Sequence, residues 1–147
     1  MTHQEEIEKL ANALRISLGS TAFLVGADKF FNLLTDWEKY LSPVVTKALP
    51  MQPKTFMRAI GVVEMAVGAG ILAGFERPVG YMASIWLLAI TTNLLTRRDH
   101  LDVAVRDANL ALEAYTLAKL AELKRWSPAL ELGEEKLNEL DELHRAS

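Results

Sequence analysis

Between Pro78 and Thr96 the chain runs for nineteen residues without one charged side chain. As a helix rising ~1.5 Å per residue, that run is about 28 Å long, close to the ~30 Å hydrocarbon core of a bilayer. Three further segments have helix length and apolar character: Leu10–Leu34, whose stretch from Ile16 to Ala27 is uncharged, Thr55–Phe75 and Leu101–Leu123. Each carries charge inside it: Arg15 in the first, Glu64 in the second, Arg106 and Glu113 in the last. Such groups are costly against lipid and belong in a bundle interior or a polar cavity. The pattern predicts an all-α protein, a four-transmembrane-helix bundle with a polar interior.

Composition narrows the function. Half of the residues are hydrophobic but only 7% are aromatic, and the net charge is -3, which offers no basic patch for nucleic acid. There is no cysteine, so disulfides, thiol catalysis and thiolate metal sites are excluded. His3 and His144 fall in the polar ends and His100 in a loop, which leaves no metal-ligating cluster and no histidine pair for a haem within the apolar segments. The opening MTHQEEIEKL is polar and acidic rather than a basic stretch leading into an apolar one; insertion is expected to be directed by the first apolar segment itself.

Residues 35–54 form a connector broken by Pro43, Pro50 and Pro53. Its Trp37, Tyr40, Leu41, Val44 and Val45 suit a short interfacial element after helix 1. Glu76–Arg77–Pro78 reads as a tight turn into the third helix, and Arg97–His100 as a polar loop before the fourth. After Ser127–Pro128 the sequence becomes ALELGEEKLNELDELHRAS, a charged stretch with Leu137, Leu140 and Leu143. This divides the chain into a membrane domain, 1–126, and a soluble C-terminal helical tail, 127–147. An up-down-up-down bundle places both termini on one side. Lys and Arg near the helix ends are balanced between the two faces, so either orientation fits the positive-inside rule.

Arg15, Gly19, Gly26 and Lys29 recur at helical spacing on one face, with Ala22 between them. The second segment carries Glu64, Gly68, Gly70, Gly74 and Arg77 within EMAVGAGILAGFERPVGYMAS. These two blocks, in this order across a proline-bearing connector, resemble the DoxX family of small four-helix membrane proteins over roughly residues 11–121. The resemblance implies a multi-pass protein of the plasma membrane. It also implies an accessory role beside other membrane subunits in a redox complex, with a quinone as the possible cofactor, rather than a stand-alone enzyme. The charged C-terminal extension departs from the family core and points to docking.

With the bilayer midplane near residues 21, 65, 87 and 112, Glu64 and Glu113 lie close to it, and Arg15, Arg106 and Asn93 about 9 Å away. Lys29 and Asp107 share the side of Arg106 and Asn93. Two readings fit Arg15, Lys29, Glu64, Asn93, Arg106, Asp107 and Glu113: a polar pocket or proton path able to hold a quinone head, or polar contacts that merely bind helices together. Asp102, Arg106, Asn109, Glu113 and Thr116 form an unbroken polar stripe on the fourth segment, which in a soluble bundle would face water. Ala66, Gly70 and Gly74 read as a small-residue series for close helix packing. Three functions follow: a quinone-linked accessory subunit, a non-catalytic structural subunit docking to a larger membrane complex, or a small-molecule carrier.

Overall fold

The computed structural model describes residues 3–48, 50–97 and 100–145. Five α-helices account for most of them: α1 (His3–Asp28), α2 (Pro43–Ala48), α3 (Pro53–Leu72), α4 (Glu76–Arg97) and α5 (Leu101–Arg145). A short 3₁₀ turn, Trp37–Tyr40, lies between α1 and α2. Arg98 and Asp99 of the polar loop, and the side chains of Val44 and of the tail leucines Leu137, Leu140 and Leu143, lie outside the described residues.

Local sequence sets the boundaries. Glu5 and Glu6 sit in the first turn of α1, where acidic groups favour the positive end of the helix dipole. The helix stops at Asp28, and the Phe31 and Asn32 N–H groups return to the Asp28 carbonyl. Lys29, expected within the helix, is thus the first residue beyond it. Asp36 caps the 3₁₀ turn through the Glu38 N–H, and the Ser42 hydroxyl accepts from Val45 at the start of α2. Pro53 opens α3 without the loss of a needed donor. At its end Gly74 adopts φ +96, Phe75 N–H reaches the Gly70 carbonyl and Gly74 N–H that of Ile71, the paired bonds of a Schellman cap.

Two antiparallel pairs form the body. α1 lies against α3 at backbone-contact distance: a Cβ added to Gly68 would fall 2.6 Å from the Gly19 carbonyl oxygen, and one on Gly26 would fall 2.7 Å from that of Gly61. The glycine spacing of seven on each helix repeats the contact two turns apart. α4 lies against α5 in a similar way, with Gly80 set against Ala114 and Ala118. The pairs meet more sparsely, α1 with α5 and α3 with α4. Leu18, Ile71, Ala83, Ala114 and Leu117 form a common core at the α3–α4 turn end. Trp37, Leu41 and Met57 pack at the connector end, and Tyr40 reaches from there to Leu94, Val103 and Ala104.

The close-packing series is therefore corrected in position. Ala66 is exposed, Gly74 caps the helix with no atom near its missing Cβ, and Gly70 meets only the flexible Val79 side chain. The register of α1 on α3 selects Gly61 and Gly68 instead. α5 runs unbroken through Ser127 and Pro128, across the boundary drawn at 126/127. At 45 residues against 22 for α4, about half of α5 extends past its neighbour.

Polarity is inverted relative to a water-soluble domain. Ile16, Leu24, Val62, Met82, Ile85 and Leu88 are exposed, whereas Asp28, Lys29, Ser84, Thr91 and Asp107 are buried. Among the described residues three helical stretches, Glu5–Asp28, Pro53–Leu72 and Glu76–Thr96, are long and apolar enough to cross a membrane.

Candidate ligand cavity

A cavity of about 350 Å³ lies between the two helix pairs, within the size range of small-molecule sites. Its walls come from α1, α3, α4 and α5, and its floor from Trp37, Tyr40, Leu41 and Val45 of the connector. The polar lining is gathered toward that floor: Lys29, Glu64, Asn93, Arg106 and Asp107. The other half is hydrocarbon, with Leu18, Val67, Ile71, Ala83 and Leu110.

Lys29 and Glu64 are the centre of the polar end. The Lys29 ammonium donates to Glu64 Oε2 at 2.5 Å, and their side chains keep only 5% and 17% of their exposure. The same Nζ lies 3.9 Å from the centre of the Trp37 ring, so the cation is held by a carboxylate and an aromatic face together. On α5, Arg106 donates from both Nε and Nη2 to Asp107 Oδ1, at 3.1 and 2.9 Å. Asp107 is buried, while the Arg106 side chain stays 52% exposed and bridges the cavity to the outside.

Trp37 is fixed from below by Asp28. Its indole N–H donates to Asp28 Oδ2 at 2.7 Å, and the Leu33 and Leu34 N–H groups donate to the same carboxylate. Asp28 thereby gathers the donors left free where α1 ends and folds the connector back beneath the cavity. Asp28, which holds the floor, and Trp86, which lines the α4 wall, are positions of the candidate site that the sequence reading did not select. A signal for Asp28 was present: an Asp–Lys pair closing an apolar segment, followed by a tryptophan nine residues on.

Of the seven sequence-selected residues, five meet in this cavity: Lys29, Glu64, Asn93, Arg106 and Asp107. Arg15 does not. It stands at the opposite end, 3.4 Å from Glu76 at the start of α4, with its Nε buried and unbonded among the described residues. The fourteen steps along the chain from Arg15 to Lys29 amount to about 21 Å at helical rise. Glu113 is also elsewhere. It is exposed on α5 with Asp102, Arg106, Asn109 and Thr116, because Ala104, Asp107, Ala111, Ala114 and Ala118 take the buried side of that helix. The partner of Glu64 is accordingly Lys29.

Donors and carboxylates at one end of an otherwise apolar chamber can hydrogen-bond a polar head, and can give or take a proton there. An outward apolar surface, inward charges and helices of crossing length define a polytopic helical membrane protein with a polar-ended internal cavity. Residues 10–97 match the family model of DoxX, and the chain belongs to the DoxX family. The match ends with α4, so Arg106, Asp107 and the whole of α5 lie beyond it. No curated protein and no solved structure matches the chain.

Proposed function

We propose that the protein is a quinone-linked accessory subunit of a plasma-membrane redox complex. Its chain would cross the bilayer four times, with both termini on one side and the C-terminal part of α5 in water. The observation that carries this reading is the cavity, whose Lys29–Glu64 pair closes one end of a hydrocarbon chamber. A quinone has carbonyl oxygens to accept from Lys29 or Arg106 and a ring that suits the aromatic floor. Its reduced form has hydroxyls that could donate to Glu64 or Asp107. Electrons would have to come from a partner subunit, since this chain has no cysteine and no histidine pair in its apolar helices to hold an electron carrier.

The outward stripe of α5 supports a subunit role. Asp102, Arg106, Asn109, Glu113 and Thr116 are exposed beside the equally exposed Val105, Leu112 and Tyr115. If α5 crosses the bilayer, lipid there would cost several kcal/mol per charge, and a helix of another subunit with its own polar groups would remove that cost. This same stripe favours the second reading, a structural subunit whose cavity stays empty.

Quinone titration of the purified protein in bilayer discs separates the two. The quinone-linked reading expects saturable binding that Glu64→Gln weakens while the fold survives; no binding by the wild-type protein leaves the structural reading. Glu113→Leu is expected to keep the isolated protein folded and to abolish co-purification of partner subunits. Unchanged co-purification would refute docking through the stripe.

A further inference from the structure

We infer that the cavity is loaded sideways from the lipid through the seam between α3 and α4. The occupant is a membrane amphiphile whose polar head reaches Lys29 and Glu64 while its chain runs out between Val63 and Trp86. This rests on the reading that the cavity holds a ligand, and adds the route and the shape of that ligand.

The route follows from which walls are closed. The α1–α3 seam is shut by backbone contact at Gly19–Gly68 and Gly26–Gly61, and the α4–α5 seam by Gly80 against Ala114. The far end is filled by Ile71 and Leu117, with 0% and 1% exposure. The connector end is floored by Trp37, itself 6% exposed and bonded to Asp28. Two seams remain. At the α3–α4 seam, Val63 and Trp86 both line the cavity and stay 43% and 38% exposed, so the same side chains face the chamber and the surroundings. At the α1–α5 seam, the exposed lining residues are Thr21 and Arg106. An alkyl or isoprenoid chain crossing there would lie along a guanidinium, and crossing at α3–α4 it meets only hydrocarbon and an indole. Desolvating Arg106 for an apolar chain is unfavourable, so the α3–α4 seam is the entrance.

The position of the polar groups sets the ligand's orientation. They lie toward the connector floor, and Trp86 lies higher on α4, seven residues from Asn93 and so about 10 Å along the helix. A head bonded at Lys29 therefore leaves its chain pointing toward the midplane and out between Val63 and Trp86. A head with no chain would fill only the floor of the chamber.

The test compares a tail-less benzoquinone with a long-chain ubiquinone, supplied from donor vesicles to the protein in bilayer discs. Val63→Trp, on an exposed position, is expected to slow loading of the long-chain form about tenfold, as obstruction of an entry path acts on association. The tail-less form, which enters by the same seam but leaves no chain in it, should be slowed less, and Thr21→Trp should leave the loading rate of the long-chain form at the wild-type value. Normal loading in Val63→Trp, or slowing by Thr21→Trp in its place, overturns lateral entry at α3–α4 while the cavity still binds its ligand. Failure of the wild-type protein to bind either quinone removes the cavity reading and this inference with it. A second measurement uses the absence of cysteine from the chain. Val63→Cys labelled by a lipid-soluble maleimide should be protected by the long-chain quinone and not by the tail-less one, and equal labelling with and without the long-chain form overturns the inference.

Discussion

Gly68→Ala adds a single carbon at one of the two backbone contacts that join α1 to α3. That carbon would stand 2.6 Å from both the Gly19 carbonyl oxygen and the Phe23 nitrogen, and 2.9 Å from Phe23 Cβ. Ordinary contact begins near ~3.5 Å, so α1 must retreat by about 0.9 Å. Because the obstructing atoms are backbone, no rotamer change can provide that space, and overpacking costs about 1–3 kcal/mol, here toward the upper end. Alanine returns about 1 kcal/mol of helix propensity, for a net loss of roughly 2 kcal/mol. Gly70→Ala is the control. Its Cβ would lie 3.2 Å from Val79 Cγ2, a side-chain atom that can shift by the ~0.3 Å needed, and the propensity gain leaves it close to neutral. Unfolding of the detergent-solubilised variants by sodium dodecyl sulfate, followed by circular dichroism, measures the difference. A Gly68→Ala protein as stable as Gly70→Ala would refute the α1–α3 register and the close contact derived from it.

Lys29→Met leaves the Glu64 carboxyl without its partner in an apolar chamber and is expected to cost about 3–5 kcal/mol, whereas Lys29→Met/Glu64→Met should recover most of that loss; additive losses in a double-mutant cycle would show that the two do not form a pair. Asp28→Asn turns one acceptor into an amide N–H2 that must oppose either the Trp37 or the Leu33 N–H. The expected cost is about 1–3 kcal/mol, with a red shift of Trp37 emission in a Trp86→Phe/Trp126→Phe background as the floor loosens. Unshifted emission would mean that Trp37 is not held by Asp28.

Much of the architecture was legible because it depends on period and length. The uncharged run at Pro78–Thr96 and the proline-broken connector reappear as elements of the fold, whereas the turn expected at Glu76–Pro78 falls at Ala73–Phe75, where Gly74 takes the positive φ, and Glu76–Pro78 form the first turn of α4. The site was legible where a charge had no lipid-compatible alternative: Lys29, Glu64, Asn93, Arg106 and Asp107 converge because the helices carrying them are antiparallel and their polar residues fall toward one end. What failed was rotation and register. Glu113 lies on α5 seven residues from Arg106, but where Arg106 reaches from the surface into the cavity Glu113 faces only outward, since Ala104, Ala111 and Ala118 take the buried side of the helix; a sequence shows the stripe but not which side of it meets a neighbour. Arg15 shares a helical face with Gly19 and Gly26 yet finds Glu76, because its height on α1 matches the start of α4. Likewise, Gly61 and Gly68 rather than Gly70 and Gly74 are chosen by how α1 crosses α3, a long-range geometry absent from local spacing. Asp28 escaped notice because its partners, Leu33, Leu34 and Trp37, come together only when the chain turns at Asn32.

The central claim is a polar-ended cavity between two helix pairs that holds a membrane amphiphile. It is tested most directly by irradiating the protein in bilayer discs with a photoreactive long-chain quinone and mapping the adducts by mass spectrometry. Adducts on the cavity-facing stretches around Ile60–Val67 and Ala83–Asn93, suppressed by unlabelled quinone, are the predicted result. Adducts confined to outward side chains such as Leu24 and Leu112, and indifferent to competitor, would contradict it.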